Sequence, residues 1–244
     1  MKKLAIIAAL ERELASLVKG WTRAEVTSQN RRVHIYHSDS AIAACAGIGV
    51  MNARIAASAA YEFAKGDLAQ FISVGLAGSL IPEFDVGEIF TPKVIIDDVD
   101  GGRIETASGN GSLVTASRVA DSAAKCSMAT RHIARAVDME AYAVADVARV
   151  YGVPFTAVKA ISDTLDFPMP PLSRFITESG RFNTVGFALY VALRPWLVPR
   201  VLTLGRNSAI ATQTLTAHLE RIIQQHQAGL YNRSAGSPVS PAGS

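Results

Sequence analysis

The sequence predicts an α/β fold, a single three-layer αβα domain around a mixed central sheet, and three observations lead there. Short apolar runs alternate with helical patterns along the chain, the signature of strands covered by helices on both faces. Hydrophobic residues make up 49% and charged residues 18% of the 244, enough apolar material for one large core. A hairpin-like pair at 32–38 and 41–46 adds antiparallel strands to a mostly parallel set.

Taken in order, residues 4–10 read as a buried first strand because seven positions pass without a charge. Residues 11–19 begin a helix, and the hairpin follows. The Ala-rich run 50–65 is helical. Residues 70–75 form another buried strand, expected to end in the turn Gly75-Leu76-Ala77-Gly78. One long strand is expected over 88–97 and a short one over 113–116, with a helix over 117–125. Ala136-Val137 leads into a helix at 139–151, 154–161 is a buried strand, and 207–225 closes the domain as a helix. The domain is expected to span 1–226. Residues 227–244, rich in Ser, Gly and Pro, are expected to be a disordered tail.

Composition narrows the function. Net charge is +3 and no Lys/Arg block exceeds two residues, so no nucleic-acid footprint is expected. Cys45 and Cys126 make no Cys-x-x-Cys, and the five histidines lack metal-ligand spacing. No metal, cofactor or disulfide is therefore expected, and a cytoplasmic location is the default. The start, Met1-Lys2-Lys3-Leu4, is followed by Glu11-Arg12-Glu13 too early for a secretory signal. Gly47-Ile48-Gly49 precedes a helix, but Asn52 stands where a dinucleotide fingerprint needs its third glycine. That turn could still offer backbone N–H groups to a phosphate or ribose oxygen.

Three carboxylates follow predicted buried strands: Glu13, Glu140 and Asp163. Open α/β sheets build their sites outside the carboxyl ends of strands. Each residue also has a plainer reading, with Glu13 facing solvent and Asp138 or Asp163 capping a turn. Segment 166–206 breaks the strand–helix rhythm with five prolines and an apolar helix at 185–196. That helix is either an extra packing layer, a lid over the site, or a contact surface for an apolar ligand or membrane at 185–200.

The chain resembles the nucleoside phosphorylase/nucleosidase superfamily, in particular the methylthioadenosine/adenosylhomocysteine nucleosidases and the hopanoid-associated phosphorylases. The resemblance is carried by Val137-Asp138-Met139-Glu140-Ala141 and Ala160-Ile161-Ser162-Asp163, supported by Ala9-Leu10-Glu11-Arg12-Glu13 and the two glycine segments. It implies cleavage of the N-glycosidic bond of a purine nucleoside, adenosine-like and 5′-modified. Asp163 matches the acid that protonates the purine at N7, which must be held protonated or share a proton. Glu140 matches the residue gripping the ribose hydroxyls, and Glu13 the one orienting the attacking water. Met139 matches a contact to the sugar, and Val119 and Ala120 flank the purine. Ala77, Gly78, Ser162 and Phe187 complete the expected binding set. A homodimer is implied by the relatives.

The sequence departs from the nucleosidases at Leu76, where they carry a serine, at Lys159, which replaces an arginine, and at Val119, which replaces an aromatic. Arg194-Pro195-Trp196 looks closer to the hopanoid-associated branch. Hydrolysis is the expected reaction because Glu13 suits water and repels phosphate. Phosphorolysis of a hydrophobic 5′-modified adenosine is the alternative, and a non-catalytic nucleoside-binding module or a membrane-surface adaptor the rivals from other classes.

Overall fold

A computed structural model describes residues 1–229; the expected tail lies outside the described residues, save for its first few positions, which end the last helix. The chain runs β1 (Lys3–Ala8), α1 (Glu11–Leu14), β2 (Thr22–Ser28), β3 (Arg31–His37), β4 (Ala41–Cys45), α2 (Val50–Phe63), β5 (Leu68–Ser79), β6 (Ile89–Phe90), β7 (Val94–Asp97) and β8 (Arg103–Glu105). It continues through β9 (Ser112–Thr115), α3 (Ser122–His132), β10 (Ala136–Asp138), α4 (Ala141–Val150), β11 (Phe155–Asp163), α5 (Thr184–Ala192) and α6 (Val198–Gln227).

All strands join one sheet in the order β2-β3-β4-β1-β5-β10-β9-β7-β8, with β11 beside β5 and β6 beside β11. β1 pairs in parallel with β4 and β5, and β5 in parallel with β11. The flanks are antiparallel, β2-β3-β4 at one side and β7-β8 at the other. The sheet is thus mixed: one parallel set, β4-β1-β5-β11, meets a second, β10-β9-β7, at the antiparallel β5–β10 pair.

Strand β1 illustrates how the layers form. Ala5 and Ile7 pack with α2 and α4 on one face, while Leu4, Ile6 and Ala8 pack with Leu215 and Leu219 of α6 on the other. A strand buried on both faces has no polar side to show, so its sequence is continuously apolar.

Several expected boundaries move, each for a local reason. β5 does not turn at Gly75. It continues to Ser79, held by β11 along one side and by β1 and then β10 along the other, with Gly75 at φ +143° between them. The expected strand 88–97 splits into β6 and β7 around Pro92, which has no N–H for the ladder. α3 starts at Ser122, where the Asp121 carboxylate accepts the Ala124 N–H at 2.9 Å, so 117–121 is loop rather than helix. α4 starts at Ala141, not Met139, because Asp138 Oδ2 accepts the Ala141 N–H at 2.8 Å. The helix expected from residue 11 is α-helical only through Leu14. α6 begins nine residues earlier than expected, with Pro199 in its first turn, where a missing N–H costs nothing. α5 buries no residue, so it is not an added packing layer on the core.

Candidate active site

The carboxyl ends of β1, β5, β10 and β11 converge on a cavity of about 880 Å³. Glu13, Ala77, Gly78, Val119, Ala120, Met139, Glu140, Ser162, Asp163 and Phe187, all ten residues singled out in the sequence, line it. Gly78 sits at the fork of the sheet, opposite Val137 of β10 and Asp163 of β11.

Glu13 is buried at 6% exposure, so it does not face solvent. The Leu10 N–H donates to its Oε2 at 3.2 Å, and its carboxylate lies over Gly75, where a Cβ would stand 3.6 Å from Oε2. Burial raises its pKa, opposed by the Leu10 N–H and the charge of Lys159. Glu140 accepts the Gly49 N–H at 2.8 Å. Burial, then the neighbouring Asp138, push its pKa up to about 7, against the pull of Lys159 and the Gly49 N–H.

The glycine turn is therefore not a vacant anion cradle. Gly47 N–H donates to Ala9 O, Ile48 N–H to Gly180 O and Gly49 N–H to Glu140. The turn holds the gripping carboxylate in place instead. Arg54, the arginine nearest that turn in sequence, is occupied by Asp146 at 2.6 Å.

Asp138 is a structural pin. Its Oδ1 accepts the Thr115 hydroxyl at 2.7 Å, and its Oδ2 takes the Ala141 N–H and the fully buried Lys159 ammonium at 2.9 Å. Lys159 also donates to Ser73 Oγ at 3.1 Å. Fixing Asp138 leaves Met139 and Glu140 in the strand-to-helix junction, at the cavity wall.

Asp163 accepts the Ser162 hydroxyl at 2.6 Å on Oδ1. Its Oδ2 is paired with Lys125 of α3, a residue the sequence did not single out. Lys125 is 1% exposed, and its ammonium also donates to Thr164 O at 2.6 Å. Its only sequence signal is a lysine within a helix, which normally faces water.

The remaining wall is mixed: Ser208, Thr212, Gln213, Thr216 and Glu220 of α6 make one part polar, and another part is apolar. Val201 and Leu204 of α6, with Leu172, Ile176, Phe182 and Phe187, form that apolar part. Phe187 stacks edge-on with Phe175 and Phe182, tying α5 to the segment before it. Trp196, at the end of the apolar run 185–196, is 67% exposed and does not line the cavity. Arg12 and Arg118 also reach the wall. Among the described residues no group of three or more His, Cys, Asp or Glu is placed to hold a metal ion.

The family model described as "Phosphorylase superfamily" matches residues 3–112 and 109–179. No curated protein matches the chain. Among solved structures, the chain is similar to the futalosine hydrolase of Helicobacter pylori, with TM-score 0.68 and 19% identity over 92% of this chain and 98% of that one. The 5′-methylthioadenosine/S-adenosyl homocysteine nucleosidase of the same organism, solved with a substituted pyrrolidin-3-ol, gives 0.68 and 18% over 92% and 98%. The corresponding nucleosidase of Campylobacter jejuni gives 0.59 and 17% over 89% and 100%.

Proposed function

The chain belongs to the phosphorylase superfamily, and from that premise we propose that it hydrolyses the N-glycosidic bond of an adenosine-type nucleoside with a large apolar 5′-substituent. The observation that carries the reading is that Glu13, Glu140 and Asp163, from three separate strand ends, line one cavity. Cleavage leaves an electron pair on the purine and builds positive charge on the ribose. In this reading Asp163 gives the proton to N7, Glu140 accepts the ribose hydroxyls, and Glu13 orients water toward C1′. A buried carboxylate in that third position disfavours a phosphate nucleophile.

The 5′-substituent follows from the apolar part of the wall, formed by Phe187, Leu204 and their neighbours. The outer face of α5 and the turn after it expose Val185, Leu189, Leu193 and Trp196 at 63–77%. Arg181, Arg200 and Arg206 are exposed beside them in sequence. This combination supports contact with an anionic membrane surface that delivers an apolar substrate. Among the described residues no single helix is long and apolar enough to cross a membrane.

A second reading, phosphorolysis, is favoured by Arg12 and Arg118 in the cavity wall. The experiment is incubation with methylthioadenosine, adenosylhomocysteine, adenosine, inosine and 5′-alkylthioadenosines of rising length, with and without phosphate. Hydrolysis yields free base and free sugar without phosphate. Each added methylene is expected to raise kcat/KM about fourfold, from roughly 0.8 kcal/mol per buried CH₂. Ribose-1-phosphate formed only with phosphate would establish the second reading. No base release from any compound would leave a nucleoside-binding module.

A further inference from the structure

Lys125 is a buried ammonium with two partners, Asp163 Oδ2 and Thr164 O. Burying a lysine costs free energy that one ion pair does not reliably return. The other buried lysine in the molecule makes the contrast. Lys159 serves an aspartate whose oxygens are all engaged in bracing α4, and it does not line the cavity. Lys125 does line the cavity, and its partner is the carboxylate placed for proton transfer. The fold also leaves space for the pair. A Cβ on Gly78 would stand 2.9 Å from Asp163 Oδ2 and 3.0 Å from Lys125 Cε, so the pair would have to shift to admit one.

Resting on the nucleosidase reading, we propose that Lys125 is a positioning and proton-supplying residue for Asp163. As the C1′–N9 bond breaks, its electron pair stays with the purine. One proton passes from Lys125 Nζ to the Asp163 carboxylate and on to N7, which leaves the carboxylate ionised as before and the lysine a neutral amine. The attacking water bonds to C1′ and leaves its proton on Glu13. Products are neutral base and free sugar, and solvent returns the Glu13 proton to the lysine amine. In this arrangement Asp163 does not have to store a proton alone.

The test is a double-mutant cycle on the best substrate of the nucleoside panel. Lys125→Met is expected to lower kcat about 100-fold, the scale of a lost proton transfer, with KM changed less than about threefold. Lys125→Arg, which keeps the positive charge but does not give up a proton, should fall with the methionine variant and stay below a tenth of the wild-type kcat. On an Asp163→Asn background, Lys125→Met should cost less than about threefold more, because the lysine acts through that carboxylate. Should Lys125→Met alone fail to melt cooperatively, the arginine variant and the double variant, which removes both charges together, decide. A Lys125→Met enzyme retaining a third of kcat, a Lys125→Arg enzyme with wild-type kcat, or losses that multiply in the double variant would overturn the proposal. A wild type inactive on the whole panel would sink the nucleosidase reading and this inference with it, a result distinct from an active wild type indifferent to Lys125.

Discussion

Asp163 is buried at 4% exposure with both carboxylate oxygens engaged, one by Ser162 and one by Lys125. Asn in its place keeps the size and one acceptor but cannot carry a proton between Lys125 and a purine. Asp163→Asn is therefore expected to lower kcat about 100-fold or more while ligand binding changes little; a variant keeping a tenth of wild-type kcat would remove Asp163 from proton transfer. Glu140 makes a different demand. Held by Gly49 at 2.8 Å on one oxygen, it has the other for a sugar hydroxyl, and an ionised acceptor there makes a charge-assisted bond. Glu140→Gln should weaken ribonucleosides much more than their 2′-deoxy analogues, measured as KM or Kd. Equal losses on both sugars would place Glu140 away from the 2′-hydroxyl. These side chains were legible in the sequence because each carboxylate follows a strand that is apolar on both faces, and such strands announce themselves. Lys125 was not. A lysine in a helix reads as solvent-facing, and only the tertiary fold brings α3 against the end of β11.

At the scale of elements, strands β1, β4, β9 and β11 could be read because burial on both faces suppresses polar residues. β2 and β8 could not. Both lie at the sheet flanks, and their sequences, Thr22–Ser28 and Arg103–Glu105, carry charges that mask the apolar pattern. Helix α5 was legible as apolar but not as exposed, since period alone does not say what a stripe meets. It is tied to its own segment through Phe175, Phe187 and Tyr190, with ring centroids 5.2–5.3 Å apart. The outward face of α5 and the turn after it, with Leu189, Leu193 and Trp196, is exposed among the described residues. The expected outcome is flotation with vesicles containing an anionic lipid, weaker with neutral vesicles, and lost in Leu189→Glu plus Trp196→Glu. Activity on short water-soluble nucleosides should survive that double change, because neither residue lines the cavity. Equal flotation of wild type and variant, or none by either, would discard the membrane contact, and a concentration-dependent dimer broken by the same variant would assign the face to a second copy of the chain.

For the whole molecule, the site's carboxylates should set how stability depends on pH. Glu13 and Glu140 are both raised above the ordinary carboxylate range, chiefly by burial, and Asp138 adds to the shift at Glu140 while Lys159 opposes it. In the unfolded chain Glu140 loses its proton near pH 4.5; in the folded protein it keeps that proton to about pH 7. Between those values the folded state binds more protons, so stability falls as pH rises through the window and stays lower above it. A shift of that size corresponds to about 3 kcal/mol at neutral pH and above, taking roughly 1.4 kcal/mol per pH unit. Glu140→Gln removes the titration while its amide oxygen can still accept the Gly49 N–H. The variant should therefore melt higher than wild type at pH 8, by several degrees for a domain of this length, and at nearly the same temperature at pH 4.5, where Glu140 is neutral in both states. It should also be close to inactive, since the charge that costs stability is the one that grips the sugar. The measurement is Tm against pH for both proteins. A Tm difference that does not grow between pH 4.5 and 7 would mean that Glu140 is not the group whose burial the fold strains against.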